Sequence, residues 1–174
     1  MDDAMSSILH KEIRGNACYR MDESLRMISI ALAHLDEEQI WTVPQSNLPS
    51  LGNLILHLCG NIRQYAISSL GGWPDTRQRE VEFEVTGGLS KEELFNKLKD
   101  TVEEAKQVIR TVEVDQLERV RPVQGFEFSG VGIIMHVVEH LSYHTGQIAF
   151  WAKYLKQVDL GFYADFDLNT KNED

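Results

Sequence analysis

Apolar side chains recur at alternating steps of three and four through Ile13, Ala17, Met21, Leu25, Ile28, Leu32 and Leu35. That is the period of a helix with one buried face, and it predicts a helix from about Ser7 to Leu35. A connection through Trp41, Pro44 and Pro49 follows. Ser50 is placed to cap a second helix running through LGNLILHLCGNIRQYAISSL to about Leu70, where Gly71, Gly72 and Pro74 stop it. The charged stretch from Asp75 to Gly88 has no helical period and reads as a long loop containing at most a short extended piece. Ser90 and Glu93 then form a capping box, and Leu94, Leu98, Ala105, Val108 and Val112 continue at helical spacing. A second long connection, Glu113 to Ser129, carries Pro122, Gly125 and the alternating Phe126-Glu127-Phe128, read as a local hydrophobic anchor. Ser129 caps a fourth helix to about Gln157, with Ile134, Val137, Leu141, Ile148, Ala152 and Leu155 facing a core. The tail beyond Leu160 is polar and expected to be loose at its end. Four amphipathic segments, no internal repeat and no convincing β-pattern predict an all-α fold, a four-helix bundle with long connecting loops, in a single domain over residues 1–174.

Composition narrows the partners. With 43% hydrophobic residues in 174, one sizeable core is within reach. A formal net charge of -10 without a basic stripe disfavours nucleic acid. No apolar run approaches the ~20 residues of a membrane span, and MDDAMSS lacks the basic and apolar regions of a secretory signal, so a cytoplasmic location off the membrane is expected. Cys18 and Cys59 are far apart and outside any C-x-x-C arrangement, which reads as two buried thiols.

The candidate chemistry lies in imidazoles. MHVVEHLSYHTGQ, residues 135–147, carries His136, His140 and His144. At about 100° per residue and with His140 as zero, His144 sits at about +40° and His136 at about -40°, while the apolar face centres near +80° to +90°. His140 and His144 therefore point inward, and His136 lies at the edge as a neighbour of the pair or as plain surface. Residues 136 and 144 are about 12 Å apart along the axis, too far for all three to share one ion easily. On the second helix His57 has Asn53, Asn61 and Gln64 within about 40°, a polar stripe on an otherwise apolar helix. Such a stripe is either a satisfied polar layer or the source of a third metal ligand, since unpartnered buried polar groups cost roughly 1–3 kcal/mol each. Three histidines would leave open positions for water and substrate. Gln147 either orients a ligand or caps a polar edge, and Gly60 and Gly146 allow close approach or are weak spots.

GNLILHLCGN on the second helix, R-x-R-E-x-E-F from Arg77 to Phe83, and EHLSYHTGQI on the last helix resemble the DinB-like (YfiT-type) superfamily over nearly the whole chain. The resemblance implies a four-helix bundle, often a homodimer, that binds a divalent metal such as zinc or nickel through one histidine of the second helix and two of the fourth. Those positions are His57, His140 and His144. It also implies a small-molecule substrate, with a low-molecular-weight thiol as cosubstrate in the thiol-dependent S-transferases of the superfamily. Two function classes follow: a metal-dependent enzyme of thiol-transfer or hydrolytic type, or a non-catalytic, stress-associated metal-binding dimer. Glu139 falls at about -100° from His140, on the outer side, and the lack of a carboxylate base beside the histidines favours a thiol anion over hydrolysis. Arg77 and Arg79, with Glu80, either meet an anionic substrate over the site or form an ion-pair loop. No catalytic residue is assigned beyond the ligands.

Overall fold

The computed structural model describes residues 3–172, so the extreme end of the tail lies outside the described residues. Four long helical segments form an all-α bundle: α1 (Asp3–Ala33), α3 (Leu51–Ile62) with its continuation, α5 (Lys91–Thr111) and α7 (Gly130–Lys156). Shorter helices α2 (Glu37–Trp41), α4 (Arg79–Glu84) and α6 (Val114–Glu118) occupy the connections. The periodic residues meet in one core, where Met21, Ile28, Leu58, Ile62, Leu94, Leu98, Val137, Leu141 and Ile148 are fully buried. α1 packs on α7 and α5, and α3 packs on α5 and α7. None of the described helices is long and apolar enough to cross a membrane.

The helix starts follow local chemistry. Ser50 and Ser90 accept from the backbone N–H groups of Asn53 and Glu93, whose side chains reach back to close capping boxes, and Ser129 accepts from Gly132 N. α7 ends with Gln157 in the left-handed region, φ 55°. A buried lysine, Lys106 on α5, reaches Asp22 of α1 and sits 2.6 Å from Glu103, tying the two helices together.

Three connections differ from expectation. The second helix reaches Leu70, but from Arg63 to Leu70 it widens into a π-helix, whose last turn closes with Gly71 N donating to Ala66 O at 3.0 Å. The charged loop after it folds residues 79–84 into α4 in place of an extended piece, because Glu82 and Val85 backbone carbonyls are held by the Asn53 amide at 3.0 and 2.7 Å. The Phe-Glu-Phe segment is a strand, β2 (Phe126–Phe128), paired antiparallel with β1 (Arg121–Val123). Gln124 and Gly125 both take positive φ, 50° and 83°, as the two-residue hairpin turn requires. Tyr65 donates its hydroxyl to Gln124 at 3.0 Å, and Arg121 donates to the carbonyls of Ser69 and Gln116, so the hairpin is fastened to the π-helical segment.

Candidate metal centre

α3 and α7 cross where each carries its inward histidines, and the fold brings His57, His140 and His144 together. One ligand atom from each lies within 4.8 Å of the others. His57 and His140 face each other through their Nε2 atoms at 3.2 Å. His144 meets His57 and His140 with ring centroids 5.2 and 4.6 Å away. Nitrogens bound at about 2.0–2.1 Å in tetrahedral geometry stand roughly 3.3 Å apart, a spacing the His57–His140 pair already has, so this donor set fits a divalent ion once His144 closes on it.

Two of the three rings have fixed tautomers. His57 Nδ1 lies 2.9 Å from Glu82 Oε2 and 3.1 Å from Arg77 Nη2; the shorter contact, to a carboxylate that only accepts, puts the proton on Nδ1 and leaves Nε2 unprotonated toward His140. His144 donates from Nδ1 to Gln147 Oε1 at 2.7 Å, again freeing Nε2. His140 Nδ1 is buried with no partner among the described residues. Gln147 thus takes the orienting role that was open between ligand support and a polar edge.

Glu82 was not anticipated from the sequence. It is buried against α3 and gripped by Arg77, whose Nε and Nη2 donate to Oε1 and Oε2 at 2.7 and 2.9 Å, with the Arg77 side chain 4% exposed. Burial pushes the Glu82 carboxyl up, but hydrogen bonds from Arg77 and His57 outweigh it and hold it below the ordinary range. Gly60 makes the approach possible, since a Cβ there would stand 1.9 Å from Glu82 Oε1. Glu82 is the second acidic residue of R-x-R-E-x-E-F, a helical turn that the alternating charges disguised as a loop.

The remaining sequence candidates sort by what they touch. Gln64 accepts from Arg77 Nη1 at 2.9 Å and donates to Asp75, so it stabilises the arginine behind Glu82. Asn53 pins α4, and Asn61 Nδ2 lies 3.2 Å from His136 Nε2. His136 stacks on Tyr65 at 4.0 Å and stands outside the three-imidazole cluster. Arg77 is committed to Glu82, which removes it as a substrate-binding group. Arg79 is exposed, with its guanidinium 5.0 Å from the Phe83 ring, itself 5.0 Å from His57. Arg79 and Phe83 line a hollow of about 660 Å³ with Trp41, Val43, Ser46, Asn47 and Glu80. Gly146 adjoins open space and makes no close helix contact. Cys18 and Cys59 are free and buried, and burial pushes Cys59 up to about 11.

Burial, reinforced by His144, His57, His136 and Arg77, pushes the His140 pKa down to about 3. Burial also lowers His144 despite the Gln147 hydrogen bond, and His136 despite Glu139. In an unfolded chain an imidazole takes its proton near pH 6.5, so below that value the unfolded state binds more protons. Stability is therefore complete above the unfolded pKa and falls with pH through the window down to about pH 3, by about 1.4 kcal/mol per pH unit for each histidine kept neutral. Denaturation midpoints of chelator-treated protein from about pH 8 to about pH 4 should show this, and His140→Leu should have the shallower slope. Equal slopes would mean that His140 titrates normally in the folded chain.

Comparison with known proteins comes to the same architecture. The family described as mycothiol-S-transferase matches residues 20–151. Among solved structures, a DinB-like protein (YjoA) from Bacillus subtilis aligns with a TM-score of 0.65 at 16% identity, covering 85% of this chain and 96% of that one. At that identity the likeness carries the fold. No curated protein matches the chain.

Proposed function

The chain belongs to the mycothiol-S-transferase family, a DinB-like group, and from that premise we propose that it is a divalent-metal-dependent thiol S-transferase acting through His57, His140 and His144. The observation that carries this reading is the convergence of three imidazoles, two with their Nδ1 protons tied outward and Nε2 free. When bound there, a zinc or nickel ion supplies a Lewis acid that lowers the proton affinity of a thiol or water brought to it.

The chain's own residues determine which nucleophile is served. A structural metal site is closed by a fourth protein ligand, and the cluster among the described residues has three, which speaks for open positions and against the non-catalytic alternative. Glu82 reaches the cluster only through His57 Nδ1 and is held as an anion by Arg77, so it orients a ligand and is not free as the base of a hydrolase. The buried Cys18 and Cys59 do not supply the sulfur, so a low-molecular-weight thiol enters as cosubstrate. The hollow beside Phe83 offers it Arg79, Ser46 and Asn47 as polar contacts. In the reaction the thiol loses its proton to solvent, its sulfur bonds to an electrophilic carbon, and the bond from that carbon to the leaving group breaks, the leaving group departing with the electron pair.

We place this activity in a single cytoplasmic domain that pairs as a homodimer. The exposed Met135 and Tyr154 on α7 support pairing, and a monomer mass by light scattering at micromolar concentration would overturn it. The function is tested on protein purified without an affinity tag. Elemental analysis should find about one divalent ion per chain, and metal-loaded protein should consume thiol against a panel of electrophiles while chelated protein does not. Metal-independent turnover, or loaded protein that hydrolyses esters and ignores thiols, would sink the reading.

A further inference from the structure

Beside Gln147, which holds His144, lies a second hollow, of about 440 Å³, between the Pro44–Leu54 segment and α7. It shares Leu48 and Pro49 with the hollow beside Phe83, which unlike it also carries the charged Arg79 and Glu80. Leu51, Leu54, Tyr143, Phe150 and Trp151 line it, and no charged residue does. The indole nitrogen of Trp151 is sealed from solvent, so the tryptophan offers the hollow carbon and no donor. Two of its residues lead directly to the metal centre: Gln147 holds His144 Nδ1 at 2.7 Å, and the Tyr143 ring lies 4.9 Å from the His144 ring.

Resting on the thiol-transfer reading of the same site, we infer that this hollow receives the uncharged, apolar body of the electrophilic cosubstrate, an aryl or short alkyl group. The volume is that of an ordinary small-molecule site. A charged group would lose its water there with no counter-ion to replace it, so the hollow favours an uncharged one. Electrophile preference is therefore set by apolar contact, and small changes in ring size or alkyl length shift affinity while added charge abolishes it.

Gly146 provides the test, because it lines the hollow and a Cβ built on it meets nothing within 4 Å. Gly146→Leu carries a branched side chain into the hollow from a position whose Cβ has room, and replaces a weak helix residue with a strong one. Binding is read by fluorescence of phenylnaphthylamine, an uncharged aryl probe, on wild-type and variant protein with metal content and molecular mass measured alongside. The wild type should bind one probe saturably, and Gly146→Leu should weaken it by about tenfold or more at unchanged metal content and mass. In turnover the variant should raise KM for an aryl electrophile and leave KM for the thiol unaltered. Unchanged probe affinity in the variant would overturn the inference. So would loss of probe binding that tracks a change in mass, which would make a second copy of the chain the occupant. The probe titration needs neither metal nor turnover, so a protein that binds the probe as described but fails to consume thiols would count against the proposed function alone.

Discussion

Replacing His57, His140 or His144 with alanine is expected to weaken divalent-metal binding by about two orders of magnitude or more in each case, with His136→Ala close to wild type. Three ligands leave no spare donor, and the fold offers no substitute: His136 Nε2 is occupied by Asn61, and its ring is stacked on Tyr65. The variants should still fold. His57→Ala leaves Glu82 paired with Arg77, and His140→Ala removes a buried imidazole whose Nδ1 has no partner. Chelator-competition titrations with zinc and nickel, run beside circular dichroism, measure both properties. Equal loss of affinity in His136→Ala would show that the centre is built on a different set of α7 histidines.

Glu82→Gln should damage stability and metal affinity together. The Arg77 side chain is 4% exposed and that of Glu82 10%, so removing the carboxylate charge leaves a buried guanidinium without its counter-ion. Breaking such a pair from one side costs about 3–5 kcal/mol. The same change removes the acceptor that keeps the proton on His57 Nδ1, and loss of a supporting hydrogen bond of this kind lowers metal affinity about 10–100-fold. Gly60→Ala reaches the same end by another route, because its Cβ would occupy the place of Glu82 Oε1 without altering any charge. Urea denaturation of chelated protein reads the first effect and metal titration the second. If both variants matched wild type in both measurements, Glu82 and Arg77 would be surface ornament and the polar chain from Gln64 to His57 would have no role in the centre.

Much of the bundle was legible because its signals are local. The heptad-like spacing from Ile13 to Leu35, the serine caps at Ser50, Ser90 and Ser129, and the glycines and proline after Leu70 depend on neighbours within a turn or two, and the helices begin and end close to where those residues stand. The inward pair on α7 was legible for the same reason, since a straight helix fixes the angle between residues four apart. The stripe at His57 was visible as an anomaly, but helix geometry alone left open whether its amides faced each other, water or an ion.

The sequence by itself determined four amphipathic helices, their caps, two buried thiols and two histidine-bearing faces, because each of these follows from side-chain order along one element. Tertiary structure decided what those faces meet. Glu82 lies 25 residues from His57 in the chain, and only the packing of α4 on α3 at Gly60 places its carboxylate on that imidazole. The amides of Asn53, Asn61 and Gln64 share one helical stripe yet serve three different partners, because those partners arrive from α4, α7 and the loop before α4. Arg77 reads from the sequence as either a substrate-binding or an ion-pairing arginine in a charged loop, and in the fold it is a buried counter-ion. Alternating charges from Arg79 to Glu84 conceal a helix that becomes favourable only when the Asn53 amide holds its end. Pairing across long separations depends on loop closure and on which backbone groups remain to be satisfied, and neither quantity is written in the order of residues along a single element.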